Sequence, residues 1–414
     1  MSVHRDVLTI VPPRWGRVRP RPGEVVPFVV VDDAGAEVEP ISLFLREFMA
    51  CGNRSSSARS YCYALLRWWR FLIAVGVEWN RATPEEGRDY VLWLLHSAKP
   101  IAGHRRSSER MAGRTNSVTR KPYPGDTYSP RTIRHANAVV HGLYEFSIDR
   151  ASGPLVNPIP LRHGDRRTAH ENPMRPYLSQ QRLRYNPKVP KQMPRAMPDR
   201  EWDRFFGALR FDRDRAIVAL AISTAARAGE LLGLRVCDID WGDQLIRVRR
   251  KGTQAEQWLA ASTDAFVWLR LYLSELGELG PDDALWWTVR RYRRASPPAR
   301  ALLNYDALRA VFRRANAVLG TNWSMHDARH TCAIRMTRDG NLSLRDVQTV
   351  LGHAHLSTTE IYLVEDDDAV ISRVREHHHT QRQPPTPPPT NRSPAAGYDP
   401  AVMDILFGNR GGRR

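Results

Sequence analysis

The chain has 414 residues and carries 62 Lys and Arg against 44 Asp and Glu, a formal net charge of +18. Its 42% hydrophobic content excludes wholesale disorder, and its length, beyond the roughly 250–300 residues at which single cores stop growing, implies two or three domains. No apolar run approaches the ~20 residues of a membrane span. The N-terminus has no secretory pattern, and Cys51, Cys62, Cys237 and Cys332 show neither metal-type pairing nor a disulfide framework. We therefore expect a soluble cytoplasmic protein whose excess positive charge points to polyanionic nucleic acid as partner.

In chain order, residues 1–40 read as irregular apart from a short strand at Val25–Val31, ended by the turn-prone Asp33-Ala34-Gly35. From Ile41 the pattern turns helical. Tyr61, Leu65, Trp68, Leu72 and Val75 recur at helical spacing between a Ser55-Ser56-Ser57 cap and Gly76. Thr83-Pro84-Glu85-Glu86 has the form of a capping box and opens a helix through Leu95. Ile133, Ala136, Val140, Leu143 and Ser147 mark one face of a helix that begins near Ser129-Pro130. The result is a bundle of about four helices whose aromatic residues, Trp68 and Trp69 among them, read as core.

Two segments of this region are strongly basic and broken by Pro and Gly. Segment 99–126 has net charge +5 and segment 161–196 net charge +7, together 12 of the 18 excess charges. Each alone could be a solvated loop. As a pair flanking one helical module they look like a sleeve for a DNA backbone, with arginine, 57 against five lysines, suited to bidentate phosphate contacts.

Beyond Met197 a second run of elements follows: a helix from Pro198, a mostly apolar helix Asp212–Ser223, a short helix Gly229–Leu234 and an alternating strand Gln244–Arg250 that runs into Lys251-Gly252. Further helices fit Asp264–Leu276, Tyr305–Leu319, His326–Asp339, Leu344–Gly352 and Asp366–Glu376. The tail beginning Pro384-Pro385 is polyproline-like and is expected to be disordered.

Three clusters carry chemistry. They are Thr224-Ala225-Ala226-Arg227-Ala228-Gly229-Glu230-Leu231-Leu232 leading to Asp238, then His326-Asp327-Ala328-Arg329-His330-Thr331, then Leu351-Gly352-His353 followed nine residues on by Tyr362. Each has an ordinary structural explanation when taken singly: a helix-surface ion pair for Arg227 and Glu230, a cap for a His, packing for Tyr362. In this order and at these intervals they resemble the tyrosine recombinase (phage integrase) family. Ala stands at 225 and 328 where that family commonly has Gly and Leu, and Thr253–Ala260 departs from the usual basic stretch.

The resemblance implies a mainly α fold with a small antiparallel β-sheet in the catalytic domain, arranged as a two-domain, C-shaped DNA clamp. On this basis 1–40 is an N-terminal extension and 41–160 a helical core-binding (SAM-like) DNA-binding domain with the basic insert 99–126. Residues 161–196 are a basic Pro-rich linker, 197–379 the catalytic domain and 380–414 the Pro-rich tail. Tyr362 would be the nucleophile, its phenol a suitable group to form a phosphotyrosyl link. Arg227 and Arg329 would bind the non-bridging phosphate oxygens, His326 and His353 would hydrogen-bond the phosphate or move the Tyr362 proton, and Lys251 would protonate the 5′ leaving oxygen. Glu230, Asp238 and His330 are supporting residues, the first two positioning Arg227 and the turn after it.

Chemistry carried by Arg and Lys requires no metal or other cofactor, and no carboxylate cluster suggests a two-metal nuclease site. His377-His378-His379 reads as a solvated helix end. The partner implied is double-stranded DNA, with a homo-tetramer on two sites, helper DNA-bending proteins as accessory partners, no membrane, and a nucleoid-associated location in a bacterial or phage-derived setting. Integration, transposition, resolution and inversion are not distinguished. A type IB topoisomerase, or a DNA-binding relative without catalysis, are the alternatives.

Overall fold

A computed structural model describes residues 5–99, 111–162, 182–190, 194–250, 253–289, 300–363, 371 and 374–379. Lys251, most of the 161–196 linker, the first half of the insert, most of the expected helix Asp366–Glu376 and the Pro-rich tail lie outside the described residues.

The first module opens with a hairpin of β1 (Arg17–Pro20) and β2 (Phe28–Val31), antiparallel and in register from Arg17 opposite Val31 to Pro20 opposite Phe28. Among the described residues four helices follow: α1 (Glu39–Ala50), α2 (Ser55–Val75), α3 (Pro84–His96) and α4 (Pro130–Asp149). Helix α2 ends where Gly76 turns left-handed at φ 68°, a conformation that costs Gly no Cβ clash. The capping box at α3 is closed at both ends: Glu86 accepts from the Thr83 backbone N–H at 2.8 Å, and Thr83 Oγ1 accepts from the Glu85 backbone N–H at 3.3 Å.

The apolar stripe of α2 buries Leu65, Trp68, Phe71 and Leu72 with Tyr90, Leu143 and Tyr144 in one core. The polar ends of Trp68 and Tyr144 are satisfied within it. The Trp68 indole donates to Tyr144 Oη at 3.0 Å, and that hydroxyl donates to the Trp79 carbonyl at 2.7 Å. Trp68 is fully buried and Trp69 8% exposed, as expected of core residues.

Helix α3 packs so closely on the segment after α4 that a Cβ at Gly87 would lie 1.9 Å from the Pro158 carbonyl oxygen. That segment is fixed by Asn157, which donates to the His141 carbonyl at 3.0 Å and to Glu145 at 2.7 Å and accepts from the Ile159 N–H at 2.9 Å. Because the obstacle is backbone held in place, a Gly87→Ala change is expected to destabilise the module by about 1–3 kcal/mol or more. Chemical denaturation of the full chain checks this.

The second module contains α5 (Asp199–Gly207), α6 (Asp212–Thr224), α7 (Ala228–Leu232), a three-stranded antiparallel sheet, α8 (Thr263–Ser274), α9 (Tyr305–Leu319), α10 (Met325–Arg338) and α11 (Leu344–Leu351). The sheet runs β3 (Ile239–Asp240), β4 (Leu245–Arg249), β5 (Glu256–Ala260) in that order, with Leu245 opposite Ala260 and Arg249 opposite Glu256. Its core gathers Phe205, Ile217, Leu220, Leu231, Ile246, Leu269, Trp286 and Phe312. Helix α6, apolar nearly all round, sits centrally, buried from Ala216 to Ala221.

Two features differ from the sequence expectation. Residues 1–40 hold a second strand, β1, and Glu256–Ala260, to which the sequence assigned no element, is the edge strand β5. The described half of the basic insert folds as turns, with isolated pairings of Ala98 with Thr127 and Thr115 with Pro122, and reaches the second module.

Candidate functional site

The site assembles where the ends of α6, α7, α10 and α11 meet the short turn that carries Tyr362. Helix α6 stops at Ala225, buried and left-handed at φ 53°, and this turn sends the chain to Arg227 at the start of α7. Arg227 is clamped by the first turn of its own helix. The Glu230 carboxylate accepts from the Arg227 N–H at 2.8 Å and from its Nη1 at 2.9 Å. The same carboxylate receives Nη1 of Arg250, from the end of β4, at 3.1 Å. Burial alone would raise the Glu230 carboxyl, but its bonds to Arg227 and the charge of Arg250 bring it below the ordinary value. Arg227 keeps a partly exposed guanidinium, its side chain 31% accessible, while Arg250 is 6% accessible.

Arg329, on α10, is buried. It donates to the Ala225 carbonyl, to the Leu351 carbonyl at 2.8 Å, and to His353 Nε2 at 3.2 Å. It thus ties the α6 turn to the Leu-Gly-His turn. An arginine donating to Nε2 requires that nitrogen to be unprotonated, so the proton of neutral His353 sits on Nδ1 and is donated to Thr359 Oγ1 at 3.0 Å. The pKa direction agrees: burial and then the charges of Arg329, Arg227 and Arg250 push His353 down to about 4. Burial, reinforced by Arg227, lowers Arg329 itself to about 10. Gly352, at φ 59°, makes the turn between these groups, and a Cβ there would lie 2.8 Å from Arg250 Nε.

Tyr362 is 3% exposed. Its hydroxyl lies 3.0 Å from His330 Nδ1, and its ring stacks on that of His353 at a 6.2 Å centroid distance. Burial raises the phenol's pKa, while Arg329 and Arg227 pull it the other way. His326 stands edge-on to His330, ring centroids 4.1 Å apart. Burial lowers His330 to about 4, and the neighbouring His326 adds to the shift. In the tautomer protonated on Nε2, neutral His330 offers Nδ1 as acceptor for the Tyr362 O–H.

The structure therefore brings together Arg227, Glu230, His326, Arg329, His330, His353 and Tyr362. Asp238 stands apart: it accepts from the Arg235 N–H at 2.9 Å and from Arg247 Nε at 2.9 Å, holding the turn before β3 and not Arg227. Sequence reasoning missed Arg250, Thr359 and Lys121. Lys121, from the basic insert, pairs with Asp327 at 2.6 Å. Among the described residues no group of three or more His, Cys, Asp or Glu is placed to hold a metal ion, and no helix is long and apolar enough to cross a membrane. With two arginines, a partly exposed third and neutral histidines, the cluster suits a tetrahedral oxyanion.

The histidines give the fold a pH dependence. Both His330 and His353 sit near 4 in the folded chain against 6.5 for an ordinary histidine. Between those values the unfolded chain binds protons that the folded chain does not, so stability falls as pH drops from about 6.5 toward 4. Thermal melts across that range should show the decline, and His330→Gln should flatten it.

Residues 200–368 match the model of the phage integrase family. Over 185 residues the chain is 32% identical to tyrosine recombinase XerC of Corynebacterium glutamicum, covering 43% of this chain and 56% of that protein. Over 184 residues it is 29% identical to tyrosine recombinase XerA of Pyrococcus furiosus, covering 44% and 61%. The chain thus spans less than two thirds of the length of the curated relatives it matches. Its fold is similar to that of the Tn1549 transposon integrase, solved in complex with circular intermediate DNA, with TM-score 0.51 and 13% identity over 81% of this chain and 98% of that one. Residues 200–368 are thus the part of this chain that is similar to the phage integrase family and to tyrosine recombinases.

Proposed function

We propose that the chain is a site-specific DNA recombinase that cuts and rejoins strands through a 3′-phosphotyrosyl intermediate at Tyr362, without metal or ATP. The observation that carries this reading is the convergence of Arg329, His353 and His330 on Tyr362 through hydrogen bonds and ring contacts, with Arg227 alongside. A tyrosine held among cations is a nucleophile placed beside a phosphate site. In cleavage, Tyr362 Oη attacks the phosphorus, the P–O5′ bond breaks, and the 5′ oxygen leaves with a proton. His330 accepts the phenol proton, Arg227 and Arg329 stabilise the charge on the non-bridging oxygens, and His353 holds Arg329 in place. Lys251 is the proposed acid for the 5′ oxygen. Reversal by the 5′ hydroxyl of a second strand rejoins DNA without ATP, because the phosphotyrosyl bond conserves the phosphodiester's energy.

On the same reading, the 41–160 module and the 197–379 domain close on duplex DNA as a C-shaped clamp, and 161–196 follows the backbone. Four copies hold two sites in a bacterial nucleoid, with DNA-bending helpers, and exchange strands through a Holliday junction. A supercoiled plasmid with two direct copies of the DNA flanking the chain's own gene tests this. An excised circle with exchanged flanks is the expected product. Relaxation without exchange would indicate the topoisomerase alternative, and neither product would reject both enzymatic readings.

A further inference from the structure

We infer that the basic insert of the first module serves the catalytic centre directly, with Lys121 a positioning residue for α10, the helix that carries His326, Arg329 and His330. Lys121 lies about two hundred residues from its partners in sequence, yet its Nζ donates to Asp327 Oδ2 at 2.6 Å and approaches Ser324 Oγ and the Asn322 carbonyl at 3.5 Å each. Asp327 Oδ2 is the acceptor that caps α10, taking the Ser324 N–H at 2.8 Å and Oγ–H at 2.6 Å. Lys121 thus neutralises the carboxylate that sets the start of the catalytic helix, one residue from His326.

Neighbouring contacts make this a built junction, not a single surface ion pair. Asn116 donates to the Gly320 carbonyl at 2.8 Å, Thr119 donates to Asn322, and Asn322 returns a bond to the Lys121 carbonyl at 3.1 Å. Asn116 and Thr119 are buried. Asn116 also organises its own turn, accepting from the N–H groups of Val118 and Thr119 at 2.9 Å each. A strongly basic insert might be supposed to hold its lysines for phosphate, but this one is committed to a carboxylate.

The junction links the charge state of the site to contact between the modules. His326 is faced by Arg329 and Asp327 of its own helix, by His330 one turn on, by Lys121 of the insert and by Arg227 of α7. Burial lowers its pKa first, then Arg329; Asp327 opposes, and Lys121 and Arg227 lower it further. With Lys121 in place His326 is held toward the neutral form, able to donate its ring N–H to a phosphate oxygen. Where the insert moves away, the pull of Asp327 toward the imidazolium meets one opposing charge fewer.

The catalytic part of this inference rests on the recombinase reading, but its first test does not. Histidine titrations of the full-length, DNA-free chain by NMR should show the His326 midpoint rising in Lys121→Met, falling in Asp327→Asn and staying put in Lys121→Arg. A purely structural staple would not give opposite signs. Binding to a short random-sequence duplex should keep its salt slope in Lys121→Met, whereas loss of a phosphate contact would reduce the slope by about 0.9. On a nicked duplex of the cognate site, Lys121→Met should slow single-turnover adduct formation roughly tenfold or more, because small misplacements of reacting groups are costly, with Lys121→Arg restoring it. An unmoved His326 midpoint, or a reduced salt slope, would overturn the inference. A shifted midpoint in a chain that forms no adduct would uphold the positioning role and remove the recombinase reading instead.

Discussion

Replacing Arg329 with alanine is expected to reduce covalent adduct formation on a nicked duplex by about a hundred- to a thousandfold, the usual cost of removing one preorganised donor from a developing oxyanion. The effect should exceed that of a lost charge alone, because Arg329 also holds the site's shape. Its guanidinium joins the Ala225 carbonyl at the α6 turn to the Leu351 carbonyl before Gly352 and fixes the tautomer of His353. Without it two buried carbonyls lose a charged donor and His353 Nε2 loses its partner. Arg329→Lys should keep the charge but not the fork, since an ammonium is a point donor, and should recover only part of the rate. Single-turnover kinetics separate the cases: full recovery by lysine would mean that bulk charge suffices.

Glu230→Gln should cost about 3–5 kcal/mol of stability, the range for breaking a buried ion pair from one side. Glu230 is the only carboxylate paired with either Arg227 or Arg250 among the described residues, with bonds of 2.9 and 3.1 Å. Its removal leaves Arg250 buried without a counter-charge. Denaturant unfolding measures the loss. The double variant Glu230→Gln, Arg250→Met should recover much of it, because the stranded charge is gone. Arg227, partly exposed, should remain folded in both variants but less well aimed.

Much of this was legible in the sequence where the signal is local. The α2 stripe from Tyr61 to Val75, its end at Gly76 and the capping box at Thr83 are patterns within a few residues, and the chain folds as they dictate. The spacing of Arg227, His326-x-x-Arg329, His353 and Tyr362 likewise carried the family resemblance. Strand β5 was not legible, because Gln254, Glu256 and Gln257 hide the alternation of an edge strand whose Leu259 is buried and whose Trp258 is 46% exposed. Strand β1 offers only Val18 between arginines, so its pairing partner, not its composition, makes it a strand. His330 was legible as a supporting residue but not as the group beside the Tyr362 hydroxyl, and Arg250 looked like one more surface arginine on an alternating strand. Lys121 was legible only as charge in an insert. Those roles depend on contacts between residues a hundred or two hundred positions apart, which no local pattern encodes.

Strand cleavage through Tyr362 is tested most directly by locating the attachment. The full chain is incubated with a nicked duplex taken from the DNA flanking its gene, so that the cut strand diffuses away and the covalent complex is trapped. The complex is isolated under denaturing conditions, digested, and the nucleotide-bearing peptide sequenced by mass spectrometry. The predicted result is a nucleotide on Tyr362 and no complex from Tyr362→Phe. A nucleotide on any other residue, or an undiminished complex from Tyr362→Phe, would contradict it.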